Sequence, residues 1–177
     1  MYTARSLFKK LPALLFVLLL AAGLSFFTAC DNGTTSEGAT LIGSWQANGS
    51  YGEEGNKTSF TEVYTITNDT LTYSYEEGSV WDYTFTGSIK NNPDFTNDYG
   101  VIIIEYLAPS DPSLKFSGTY WRGLTETSVS MANAANLDNY REPVETATLE
   151  EALAKFTIDN IDDFVNWSNI APLGKID

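Results

Sequence analysis

The chain has 177 residues, of which 23 are Asp or Glu and 10 are Lys or Arg, for a formal net charge of −13. That field repels nucleic-acid phosphates and anionic lipid headgroups, so nucleic acid is not an expected partner. There is no His and a single Cys, which excludes His-based triads, His zinc sites and any disulfide within the chain.

The first element is a basic start followed by an apolar run. Arg5, Lys9 and Lys10 precede Leu11–Leu24, and Thr28-Ala29 sit directly before Cys30. Cations at the start stay on the cytoplasmic face, so the apolar stretch inserts with its far end outside. Small residues at its end let a peptidase approach the backbone. Residues 1–29 are therefore expected to be a signal peptide and Cys30 the lipid attachment site. The pattern resembles bacterial lipoprotein signals cut by signal peptidase II, with Phe27 where that family usually has an aliphatic residue. The resemblance implies a diacylglycerol thioether and an added acyl chain such as palmitate on Cys30. It further implies a protein held in the bacterial cell envelope by its lipid anchor, periplasmic or surface-exposed, with the membrane as partner. An uncleaved transmembrane anchor over Leu11–Ala29 is the alternative. Both place the remainder outside the inner membrane.

Loss of residues 1–29 would remove three cations and no acid, taking the net charge from −13 to −16. Residues 30–40 are nearly all Gly, Ser, Thr, Asn or acidic, and are expected to form a flexible tether.

From 41 to 134 the chain alternates apolar and polar residues between turn signals, the pattern of half-buried strands. Seven strands are predicted: 41–47, 58–67, 70–76, 80–90, 101–107, 114–122 and 127–134. Gly43 and Trp45 lie on the first. Phe60, Tyr64 and Ile66 share one face of the second, and Leu71, Tyr73 and Tyr75 one face of the third. Trp81, Tyr83, Phe85 and Ile89 share a face of the fourth. Residues 101–107, which include Tyr106, are nearly all apolar, so that strand should be covered on both sides. On the sixth, Phe116, Gly118, Tyr120 and Arg122 are assigned inward and Trp121 outward. Short turns between successive strands argue for an antiparallel up-and-down meander. Closing it into a barrel buries the apolar face and removes the edges; a sandwich is the other way to bury it.

The tail, 135–177, changes character and is expected to be an irregular connection followed by a helical segment. Thr148 and Glu151 fit a capping box, and Leu149, Ala152, Leu153 and Phe156 follow helical spacing. A helix packed on the outside of the barrel, over Trp121, is predicted.

Leu41-Ile42-Gly43-Ser44-Trp45 opens the domain with a G-x-W on its first strand, ahead of a β-meander and a terminal helix. In this the chain resembles the lipocalin-like (calycin) barrels of bacterial lipoproteins. The resemblance implies a mainly β fold in which Trp45 plugs one end of the barrel and an Arg from a late strand packs across it. Arg122 is the candidate for that Arg. The sequence counts seven strands where the family has eight, and has no T-D-Y motif at the family's position.

Catalytic equipment is sparse. The one Cys is assigned to lipid. The carboxylate pairs Glu53-Glu54, Glu76-Glu77 and Asp162-Asp163 are sequence neighbours, which point to opposite faces on a strand. No phosphate loop or calcium-loop spacing is present, so no metal and no cofactor is expected. The expectation is a non-catalytic module that binds a small hydrophobic or aromatic ligand. Tyr64, Tyr73, Tyr75, Trp81, Tyr83, Phe85, Tyr106 and Tyr120 form the candidate lining. The same aromatic stripes could instead fill the interior. That outcome would leave a structural or surface-interaction lipoprotein.

Overall fold

A computed structural model of the chain describes residues 38–176 apart from 55, 79, 80 and 110, and not the side chains of Trp81, Tyr140 and Arg141. Segment 1–29, Cys30 and the tether up to residue 37 lie outside the described residues.

Seven antiparallel strands follow one another around the barrel: β1 (Gly43–Tyr51), β2 (Thr58–Ile66), β3 (Thr70–Glu77), β4 (Trp81–Ile89), β5 (Tyr99–Tyr106), β6 (Phe116–Arg122) and β7 (Ser128–Asn133). The chain then makes an excursion. It forms a small hairpin, β8 (Ala135–Asn136) with β9 (Asn139–Pro143), and a short strand, β10 (Glu145–Thr146), on the start of β6. Helix α1 (Leu149–Lys155) and two 3-10 turns, Ile158–Asp163 and Trp167–Asn169, follow. Finally β11 (Leu173–Ile176) returns and inserts between β7 and β1. With it the sheet is a closed eight-stranded barrel.

The expected fold class therefore holds, but the barrel is not confined to 41–134. Its eighth strand comes from the tail assigned to connection and helix. Four residues, Leu-Gly-Lys-Ile, are too few for alternation to show.

The period-two pattern sets the two surfaces of β1–β4. Register pairs Trp45 with Tyr64, Tyr64 with Tyr73 and Tyr73 with Phe85, all facing inward. The residues between them are largely Ser and Thr and meet solvent, with hydroxyl pairs such as Ser44–Thr65 and Thr72–Thr86 across strands.

β5 and β6 are covered on both sides, and on β6 the expected parity is reversed, with Phe116, Gly118, Tyr120 and Arg122 outward and Trp121 inward. Register places Thr119 opposite Ile102 and Trp121 opposite Gly100. Ile102, Ile104 and Trp121 belong to the interior cluster. Phe116 and Tyr120 face outward, into a second cluster with Ala152, Phe156 and Val165. Helix α1 thus lies over the Tyr120 side of β6, not over Trp121. Alternation separates two faces, but when both are buried it does not say which is the lumen.

The capping box at α1 forms as predicted. Thr148 Oγ1 accepts from the Glu151 amide at 3.2 Å, and the Glu151 carboxylate accepts from the Thr148 amide at 3.1 Å. A helix of seven residues does not persist alone, so its packing holds it. Gly118 makes that packing close: a Cβ there would lie 2.8 Å from Phe156 Cγ. Gly118→Ala is expected to cost about 1–3 kcal/mol, the range for overpacking. Urea unfolding checks it, and an unchanged midpoint would mean that α1 is loosely seated.

One end of the barrel is sealed. Trp45 and Trp121 are both essentially inaccessible, at 0% and 1% exposure. Trp45 Nε1 donates to the Leu41 carbonyl at 2.8 Å, and Trp121 Nε1 to the Asn97 carbonyl at 3.0 Å. The 90–98 loop folds across this end, where the Phe95 carbonyl accepts from the Leu41 amide at 2.8 Å. Asn91 extends the β4–β5 ladder with its side chain, donating to the Val101 carbonyl and accepting from the Ile103 amide. Gly43 holds φ at +134°, a backbone region that side-chain-bearing residues rarely enter, which accounts for Gly in the G-x-W.

The cation across Trp45 is not Arg122. Lys175 of β11 places its Nζ 5.3 Å from the Trp45 ring centroid, while Arg122 lies outside, 4.5 Å over Trp167. The reversed parity of β6 carries Arg122 away from the lumen.

Candidate functional site

Above the Trp45 and Trp121 floor the interior is not filled. A cavity of about 650 Å³ remains. Tyr64, Tyr73, Tyr75, Tyr83, Phe85 and Tyr106 line it, six of the eight aromatic residues expected there. Tyr120 does not, because it packs beneath α1, with its ring 6.4 Å from that of Phe164. Trp81 stands opposite Glu77 by its backbone register, and its side chain is not described. Tyr51, Pro143, Asn169 and Ile170 rim the open side, so the 135–170 excursion supplies part of the mouth.

The rings form a continuous band. Centroids of Tyr64 and Tyr73 are 4.8 Å apart, those of Tyr73 and Phe85 5.3 Å, and those of Phe85 and Tyr106 5.2 Å. Edge and tilted contacts of this kind stiffen a wall without closing it. Burial holds the Tyr64, Tyr73 and Tyr106 phenols above their ordinary value, so they stay protonated and can donate hydrogen bonds.

Sequence reasoning missed the charged members of this lining. Glu62 and Glu77 both reach the cavity. Each occupies an inward position of its strand: Glu62 falls between Phe60 and Tyr64, and Glu77 follows Tyr75. Continuing the alternation through the polar residues would have found them. Tyr64 Oη donates to Glu62 Oε1 at 3.2 Å, and Tyr73 also hydrogen-bonds to this carboxylate. The Tyr51 hydroxyl donates to Glu77. Glu77 is 5% exposed. On the β6 side, Tyr106 hydrogen-bonds to Ser117 and Glu145.

Burial raises the Glu62 carboxyl above its ordinary value of 4.5, and the two tyrosine hydrogen bonds offset this only in part. The folded state then keeps this proton longer than the unfolded chain. Stability is lost as pH rises from the ordinary value through the raised folded value. Glu62→Gln removes that loss. Thermal melts should show the variant equal to the wild type near pH 4 and more stable at pH 7; a wild-type advantage at pH 7 would contradict this.

Among the described residues, no group of three or more acidic or Cys side chains is placed to hold a metal ion. Asp94, in the polar 90–98 loop, accepts from the Thr96 amide and hydroxyl at 3.0 and 2.7 Å. No family model, no curated protein and no solved structure matches this chain.

Proposed function

We propose that this protein is a non-catalytic binding module for a small apolar or aromatic molecule, carried in the bacterial cell envelope on a lipid attached at Cys30. The observation that carries the binding half is the cavity. Its roughly 650 Å³ falls within the span of about 300–1,000 Å³ usual for small-molecule sites. A barrel serving only as a structural module has no need of such a space, and eight strands can be filled by side chains alone. The lining suits a ligand with a flat or branched apolar body, and the tyrosine hydroxyls supply a few polar contacts. Glu62 and Glu77 are held by tyrosine hydroxyls, and no catalytic role is proposed for them.

Native mass spectrometry of protein purified from its own envelope is expected to show a bound mass. Titration with N-phenyl-1-naphthylamine, a neutral lipophile, is expected to quench the tryptophan fluorescence saturably. No bound mass and no saturation would leave the structural reading.

The anchoring half rests on the lone Cys after a basic and apolar leader. Two or more acyl chains bind a membrane in effect permanently, where one binds reversibly. Cys30→Ala should move the protein from the detergent phase to the aqueous phase. If the variant stays in the detergent phase with its leader intact, the segment is a transmembrane anchor instead.

A further inference from the structure

The cavity combines features that a neutral ligand would use poorly. Glu62 sits in its wall, partly buried, and its hydrogen-bond partners are the Tyr64 and Tyr73 hydroxyls. Glu77 adds a second carboxylate to the same space. Among the described residues lining the cavity there is no Lys or Arg. For Glu62, taking a carboxylate out of water is costly, and tyrosine hydroxyls return only part of the lost hydration. The same wall carries the rings of Tyr64, Tyr73 and Phe85, and the face of an aromatic ring attracts cations. A chain with net charge −13 also concentrates cations near its surface.

From this arrangement we infer that the ligand carries a positively charged nitrogen, an alkylammonium or quaternary ammonium, which seats against Glu62 while its apolar body lies on the aromatic band. The inference rests on the binding reading above and sharpens its ligand class. A neutral lipophile entering the same space would have to desolvate Glu62 and offer it nothing in return. An anion would face the Glu62 carboxylate. The ammonium replaces the water that Glu62 gives up and, unlike a neutral donor, gains from the ring faces as well.

Three probes with one apolar body separate these cases: 4-phenylbutylamine, 4-phenylbutanol and 4-phenylbutanoate. They are titrated calorimetrically into the purified full chain at pH 7.5. The amine is expected to bind at least about tenfold more tightly than the alcohol, which is about 1.4 kcal/mol at room temperature. The butanoate is expected to be weakest. In Glu62→Gln the amine and alcohol affinities should converge through loss on the amine side, with the circular dichroism spectrum unchanged. Glu76→Gln, an exposed position on the outer face of β3, should leave the ratio as it was. Equal affinities for amine and alcohol in the wild type, or a ratio that survives in Glu62→Gln, would overturn the inference. Saturable binding of N-phenyl-1-naphthylamine without amine preference would overturn it while leaving the binding module standing. Silence from every probe would overturn both.

Discussion

Trp45→Ala should lower the free energy of unfolding by about 3–5 kcal/mol, the range for truncating a buried aromatic residue. Trp45 has no exposed surface and forms the floor with Trp121. Its indole nitrogen also satisfies the Leu41 carbonyl, which the truncation would leave without that partner. The space vacated is bounded by strands locked in register on both sides, β2 and β11, so collapse around it would be limited. The loss is read from urea denaturation followed by far-ultraviolet circular dichroism. A loss below about 1 kcal/mol would mean that the floor repacks freely, which close-packed interiors rarely allow.

Ending the chain at residue 171 should destabilise the barrel at least as much. Leu173, 1% exposed, belongs to the interior cluster, and truncating a buried Leu to Ala alone costs about 2–5 kcal/mol. The deletion also strips both neighbours of their ladder: β1 loses its pairing from Ser44 to Gln46, and β7 loses Ser128 and Val129. Lys175 leaves the Trp45 ring at the same time. The truncated protein is expected to unfold at much lower urea and to bind 8-anilinonaphthalene-1-sulfonate through its opened side. An unchanged urea midpoint would show that seven strands suffice.

Most of the barrel is legible in the residues, because β1–β4 have one dry and one wet face. There the alternation of Tyr and Phe with Ser and Thr fixes both the strand and its inner side. The capping box is legible for a similar reason, since its two hydrogen bonds depend only on residues three apart. Legibility fails where tertiary structure decides. On β6 the apolar set Phe116 and Tyr120 answers to α1, and the lumen receives Ser117 and Thr119 beside Trp121. β11 is short and draws its place from the gap between β7 and β1. In the candidate site, the five aromatic positions on β2–β4 are readable from parity, while Glu62 and Glu77 stand at inward positions that the Tyr and Phe alternation does not mark. A carboxylate in an inward position looks like an error in the pattern, when it is part of the lining.

The seam between β1 and β11 joins the two ends of the domain: Ser44 lies opposite Ile176. Every other neighbouring pair on the β1–β5 side is joined by a hairpin or a short loop, and can form while the chain is still incomplete. Barrel closure is the pairing with the greatest sequence separation, and its loop-closure entropy must be met before its contacts return anything. Closure is therefore expected to come last. Until then β1 and β7 are bare edges, the form of sheet most ready to pair with another chain. Pulsed hydrogen exchange during refolding should find the β2–β4 amides protected before those of β11. On that order, the pairing of β11 with β1 and β7 sets how long a newly made molecule stays open to its neighbours.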